Sequence, residues 1–255
     1  ITDCAGRTVQ VPVDPQRIAC LCPEAGHALA MYDKGQNIVA AVNGMQRDKL
    51  LVEMYPHITE VPVPKANGAI NIEELIAVQP DLVFIKAETI KNDAEMEKLA
   101  KTGIPVLGIQ FTNMREQQEA MRIIAQAVGA EAAWQKYQDF YESTVALVQD
   151  RVADLPDDER IRIYHSVNEA TRTDQKDSLP ADWTQAAGVV NVSINEDSKL
   201  EDGGYVSLEQ ILLWDPDYIL VNDPNVVGYI MENEQWASLQ AVKNGKVLPM
   251  PNGIS

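Results

Sequence analysis

One pattern is written twice in this chain, and it narrows the available folds more than any other feature. Asn71 to Ile85 reads Asn-Ile-Glu-Glu-Leu-Ile-Ala-Val-Gln-Pro-Asp-Leu-Val-Phe-Ile, and Ser207 to Val221 reads Ser-Leu-Glu-Gln-Ile-Leu-Leu-Trp-Asp-Pro-Asp-Tyr-Ile-Leu-Val. The first copy predicts a short helix that opens on a polar residue and presents Ile72, Leu75, Ile76 and Val78. Pro80 cannot extend that helix, and Leu82 to Ile85 follows as a buried strand. At a constant offset of 136 positions, Glu73 aligns with Glu209, Pro80 with Pro216 and Asp81 with Asp217. Pro-Asp between a helix and a strand is common punctuation in α/β proteins. The whole aligned run says more, and it predicts two lobes of one design.

The rest of the chain fits that scheme. Residues 2–13 read as an edge hairpin around Gly6, with alternating β-branched residues. Ile18 to Leu21 is a first core strand, and Pro23 opens a helix over Ala25 to Tyr32. A strand at Asn37 to Val42, a helix at Asp48 to Tyr55 and a small-residue loop at Lys65 to Ala69 lead into the repeated unit. A charged helix closed by Gly103 and a strand from Ile104 to Ile109 complete an alternating strand–helix series, the mark of a largely parallel sheet. Glu131 to Asp154 then runs without Pro or Gly. Its apolar stripe is Trp134, Tyr137, Tyr141, Val145, Val148 and Val152, widened by Phe140 and Leu147. Placed midway between similar halves, this helix reads as a rigid strut. Ile161 to His165 opens the second lobe as Ile18 to Leu21 opened the first, and the second repeat follows. The expected fold class is therefore α/β, with two lobes bridged by a single long α-helix. Each lobe is a largely parallel sheet flanked by helices. The boundaries are 1–130, 131–154 and 155–255.

Charge and cysteines exclude some partners. A net charge of −17 argues against nucleic acid or an anionic membrane as the main partner. No apolar run reaches the roughly 18 residues a membrane span needs. The chain begins Ile1-Thr2-Asp3-Cys4, consistent with a removed targeting segment. Three cysteines, Cys4, Cys20 and Cys22, cannot all pair within one chain. Cys20 and Cys22 alternate on a strand, so their thiols share a face, as a metal or redox pair or as small buried residues.

No enzyme signature of weight is present: no Gly-x-Ser-x-Gly, no phosphate-binding Gly-rich loop, no dinucleotide fingerprint and no His-Glu-x-x-His. In parallel α/β sheets ligands gather at the carboxyl ends of strands. The loops there contain Glu24, His27, Lys65, Asn67, Lys86, Gln110, His165, Arg172, Asn222 and Asn252, which become the candidate ligand-binding set. Lys65, Lys86 and Arg172 could meet an anion, or be solvated charges. His27 and His165 are candidate metal or haem-iron ligands, with polar rim residues as the plainer alternative. His57, after Pro56, reads as solvated.

The residues also resemble a known family. Thr2-Asp3, Gly6-Arg7, Val9, Val11-Pro12 and Pro15-x-Arg17-Ile18 are similar to the start of ABC-importer substrate-binding proteins for iron-siderophore complexes, haem and vitamin B12. The strut, both repeated units, Ala186 to Val192 and Val242 to Val247 are similar as well, so the resemblance covers essentially the whole chain. It implies two α/β lobes joined by one long helix, with solute held between them and little hinge motion. It implies a monomer with no intrinsic cofactor and no catalysis, at the periplasmic or extracellular face of the membrane. Membrane contact would come only through a lipid anchor or the importer. The partners would be a permease dimer and a small-molecule metal complex: an iron chelate, haem or a corrinoid such as cobalamin. The resemblance assigns Glu73 and Glu209 to docking on permease arginines; read alone, each is a first-turn acid favoured by the helix dipole. It also implies a further stretch beyond Ser255. An oxyanion such as molybdate stays open as cargo, as does a free metal held by His27, His165 and carboxylates such as Glu24 or Glu169. A two-lobed enzyme or metallocluster protein is the rival class, and having all three cysteines within the first 22 residues counts against a cluster between lobes.

Overall fold

The computed structural model describes residues 1–194 and 200–250. The chain divides into two compact units, Ile1–Phe111 with Arg115–Tyr141, and Thr112–Met114 with Glu142–Ser255.

The elements of the first part are β1 (Ile18–Leu21), α1 (Pro23–Met31), β2 (Ile38–Ala40), α2 (Asn43–Arg47), α3 (Lys49–Met54), β3 (Lys65–Ala66), β4 (Ala69–Ile70) and α4 (Ile72–Ala77). They continue with β5 (Leu82–Lys86), α5 (Ala87–Ile90), α6 (Asp93–Ala100), β6 (Val106–Ile109) and α7 (Met114–Ala127). The first sheet has the order β2-β1-β5-β6, and all its pairs are parallel. Both its faces are covered. Ile18, Cys20, Phe84 and Leu107 pack with Leu29 of α1 and Ile124 of α7, while Leu21, Val83 and Ile85 pack with Leu75 of α4 and Leu99 of α6. A strand buried on both faces must be apolar throughout, and Ile-Ala-Cys-Leu and Leu-Val-Phe-Ile are. Cys20 and Cys22 are fully buried and all three cysteines are free.

α8 (Glu131–Val152) follows, and the boundary between the units falls within it. Trp134, Tyr137, Tyr141, Val145, Val148 and Val152 are half-buried, as the stripe predicted. Phe140 and Leu147 do not widen it; they are 69% and 51% exposed. At 3.6 residues per turn they project roughly 100–120° from the stripe's centre line.

The second unit continues with β7 (Arg162–Ser166), α9 (Leu179–Ala186), β8 (Val190–Asn191), α10 (Leu208–Trp214), β9 (Tyr218–Val221), α11 (Pro224–Glu232), α12 (Gln240–Lys243) and β10 (Val247–Pro249). Its sheet has the order β8-β7-β9-β10, again all parallel. With β7 matched to β1, this is the topology of the first sheet. Trp236, 1% exposed, anchors its core with Tyr164, Ile219 and Ile211.

The repeated unit explains the repeated topology. Asn71 caps α4 by accepting from Glu74 N–H, and Ser207 caps α10 by accepting from Gln210 N–H. Gln79 and Asp215 both take positive φ, 45° and 42°, turning the chain immediately before Pro80 and Pro216. The Asp81 carboxylate then accepts from the N–H groups of Gln16 and Arg17, at 2.8 and 3.1 Å, ahead of β1. Asp217 accepts from Arg162 N–H at 2.8 Å as β7 begins. The arginines reciprocate: Arg17 donates to the Val78 and Gln79 carbonyls, and Arg162 to the Asp215 carbonyl. Each Pro-Asp therefore ties a helix end to the start of the neighbouring parallel strand.

Two local expectations are corrected. Residues 2–13 form no hairpin of strands; a single bridge joins Thr2 and Thr8. Asp3 captures the amides that a ladder would have paired, accepting from the N–H groups of Ala5, Arg7 and Gly108 and from the Arg7 guanidinium. Lys65 to Ala69 is not an irregular loop but the antiparallel hairpin β3–β4. Its turn is Asn67-Gly68, both at positive φ, as a two-residue hairpin loop requires.

Candidate functional site

In the first unit the carboxyl end of β1 runs through Cys22 into Pro23, the first residue of α1, and places Glu24 in that helix's first turn. Lys86 ends β5, and its Nζ lies 3.4 Å from Glu24 Oε1. Lys65, on β3, donates to Thr89 Oγ1 at 3.0 Å. Burial lowers the Lys65 pKa, and nearby Lys86 adds to that, while Cys22, Glu88 and Glu24 act in the opposite sense. Glu24, Lys65, Lys86 and Thr89 thus converge at one end of the sheet. Glu24 Oε2 is buried and accepts no hydrogen bond among the described residues. Cys22 lies beside them, but burial and then Glu24 push its thiol up to about 12, so it is no nucleophile at neutral pH. The cluster offers two ammonium groups and a hydroxyl beside one carboxylate, a net positive charge suited to holding an anion.

The other first-unit candidates sit elsewhere. His27 Nε2 is 3.0 Å from Asp48 Oδ2, and Asp48 also caps α3 by accepting from Leu51 N–H. His27 therefore ties α1 to α3. Asn67 is exposed at the hairpin tip. Gln110, past β6, lines a cavity of about 680 Å³ with Ile1 to Cys4 and Arg122. His57 is not simply solvated, because its Nε2 lies 3.2 Å from the Ile38 carbonyl.

In the second unit His165 closes on a buried network. Its Nδ1 is 2.9 Å from both oxygens of Asp174, and its Nε2 is 2.9 Å from Asn222 Oδ1. Asn191 Nδ2 donates to Asp174 Oδ2, and Trp183 presents its ring edge-on to the imidazole. His165 is 2% exposed. Burial works to lower its pKa, but hydrogen bonding and charge from Asp174, with Asn222, outweigh burial and raise it. Both ring nitrogens are engaged by Asp174 and Asn222, so neither is free for a metal in this arrangement. Among the described residues no group of three or more His, Cys, Asp or Glu is arranged to hold a metal ion. Arg172 is half-buried and donates to the Gly203 carbonyl at 3.2 Å. Asn252 lies outside the described residues. Thr89 closes a loop, Lys86 to Thr89, expected at the strand ends, but sequence reasoning singled out neither it nor Asp174; each is recognisable only by the lysine or histidine it meets.

Glu73 and Glu209 are exposed in the first turns of α4 and α10, at equivalent places in the repeat. Among the described residues no helix is long and apolar enough to cross a membrane.

Comparison with known proteins is consistent with this architecture. The family described as periplasmic binding protein matches residues 19–253. The molybdate-binding protein MolA of Haemophilus influenzae is 26% identical, over 98% of this chain and 77% of its own. An uncharacterized ABC transporter substrate-binding lipoprotein of Bacillus subtilis, YvrC, is 23% identical over 97% of this chain and 76% of its own. The structure of MolA bound to molybdate has a TM-score of 0.88 at 24% identity, covering 100% of this chain and 84% of that one. The vitamin B12 binding protein BtuF of Vibrio cholerae has a TM-score of 0.71 at 21% identity, covering 94% and 89%. At these identities the structural likenesses establish the fold.

Proposed function

The chain belongs to the periplasmic binding proteins of ABC transporters, and on that premise we propose that it captures a negatively charged, metal-bearing solute for delivery to an importer. The observation that carries this reading is the convergence of Lys65, Lys86 and Thr89 at the carboxyl ends of the first sheet's strands. Lys65 is a partly buried cation whose pKa is depressed chiefly by burial, and an arriving anion would relieve that cost. Lys86 is paired with Glu24 and would exchange that carboxylate for the solute. With a net charge of −17 the protein as a whole repels anions, so the site must supply the attraction locally. Two sources share this chemistry. One is a metal oxyanion, the ligand class named for the relative MolA. The other is an anionic ferric chelate, the cargo class of the resembled family. Glu73 and Glu209 are the proposed contacts with the permease.

A thermal-shift panel tests this reading with molybdate, tungstate, ferric siderophores, haem and cobalamin. Ligand at about 100 times its dissociation constant stabilises by roughly 2.7 kcal/mol. That is a shift of several degrees for a chain of this size. A response to oxyanions alone, or to ferric chelates alone, names the source. A response to neutral cobalamin only, or to none of the panel, refutes the anion reading.

A further inference from the structure

We propose that the buried His165–Asp174 pair is a positioning device that holds the Asn222 amide with its oxygen inward and its NH₂ group outward. The carboxyl end of β9 then presents hydrogen-bond donors, not acceptors. The value of those donors to an anionic solute rests on the reading above; the positioning itself does not.

The argument follows from which atoms can carry protons. His165 Nδ1 faces a carboxylate and must donate. With Asn222 Oδ1 facing it at 2.9 Å, Nε2 donates as well; the turned amide, with Nδ2 inward, goes instead with a neutral ring whose Nε2 accepts. An imidazole that donates from both nitrogens is an imidazolium. Asp174 supplies the compensating charge in a pair whose side chains are 2% and 1% exposed. Asn191 Nδ2 donates to the Asp174 carboxylate at 2.8 Å, and Thr173 Oγ1 donates to the His165 carbonyl at 2.7 Å, so the pair is held on several sides. Asp174 is the charged group acting on the ring; Asn222 and Trp183, which face it from the other elements, are neutral.

Asn222 is half-buried at the end of β9, its backbone N–H fixed to the Ser166 carbonyl. Its Nδ2 has no hydrogen-bond partner among the described residues. If His165 lost the Nε2 proton, that nitrogen would become an acceptor facing an acceptor. The amide would have to turn over, sending Nδ2 inward and Oδ1 outward. One buried proton therefore sets whether this strand end attracts or repels an anion.

The test combines NMR of the imidazole with binding measured against pH on the full chain. In the unmodified protein, ¹⁵N shifts of His165 should report both ring nitrogens protonated at pH 7. The Asn222 NH₂ signal, identified by its loss in Asn222→Asp, should exchange freely with solvent and become protected above the His165 titration. Affinity for molybdate, or for whichever anionic ferric chelate binds, should fall roughly tenfold across that same titration, the weight of one hydrogen bond to a charged group. Asp174→Asn should move the fall to lower pH. A neutral His165 ring at pH 7 overturns the proposal, as does an Asn222 amide whose exchange ignores the titration; the ring reading comes from the unmodified protein alone and survives a variant that does not fold. If no anion binds but the ring and amide behave as stated, the solute reading fails and the positioning device stands.

Discussion

Alanine at Asp81 and, separately, at Asp217 tests whether the two halves are built by one device. Asp81 accepts two backbone N–H groups, from Gln16 and Arg17, and Asp217 accepts one, from Arg162. These sites are exposed, so water replaces the lost acceptor, and each bond is worth about 0.5–1.5 kcal/mol net. Asp81→Ala should then cost about 1–3 kcal/mol and Asp217→Ala about half as much. The prolines, the positive-φ turns at Gln79 and Asp215 and the arginine caps remain in both variants. Hydrogen exchange followed by mass spectrometry separates the effects. Asp81→Ala should speed exchange in peptides covering Gln16 to Leu21 and leave β7 unchanged, and Asp217→Ala should do the reverse. Urea unfolding supplies the totals. An Asp217→Ala cost equal to or above that of Asp81→Ala would refute the bond-by-bond reasoning. Unchanged exchange at β1 in Asp81→Ala would refute the clamp itself.

Other outcomes follow from the same geometry. Lys65→Met should weaken anion binding roughly 10- to 100-fold, the range for a hydrogen bond to a charged group. Lys86→Met should cost less, because its side chain is 42% exposed and already paired with Glu24; calorimetry with the bound anion decides, and equal losses would count against the assignment. Charge reversal at both Glu73 and Glu209 to Lys should abolish uptake in a transport assay while leaving solute affinity unchanged, and surviving uptake would remove them from docking. Burial works to raise the Asp3 pKa, but donors from Gly108 and Arg7 more than offset it, so the folded value lies below the ordinary one. Its contribution is therefore complete above the unfolded carboxyl pKa of about 3.9 and is lost as pH falls through the folded value. Asp3→Asn should lower stability at pH 7 and flatten the acid limb of a stability–pH curve; an unchanged acid limb would sink that account.

Much of the architecture was legible before any coordinates. Apolar runs bounded by Pro-Asp identified β5 and β9, and the constant offset between them implied matching sheets, because equal local patterns impose equal local structure. The half-buried stripe of α8 was readable for the same reason, since helical period depends only on the backbone. The differences are also local. Asn67-Gly68 is a hairpin turn signal in its own right, and Asp3 takes amides that alternation assigns to a hairpin.

What sequence alone determined was the α/β class and the doubled design. Only the tertiary structure decided which polar residues meet at the strand ends. Parallel strands are joined by crossovers, so neighbours at a sheet's edge come from distant parts of the chain. Lys65, Lys86 and Glu24 converge from three separate elements, and His165, Asp174, Asn191 and Asn222 from four separate segments of the chain. Hydrogen-bond partners chosen at such distances leave no periodicity in the sequence. For that reason His165 reads as a candidate ligand or a rim residue in the chain, whereas in the fold it is buried against Asp174 and faces Asn222.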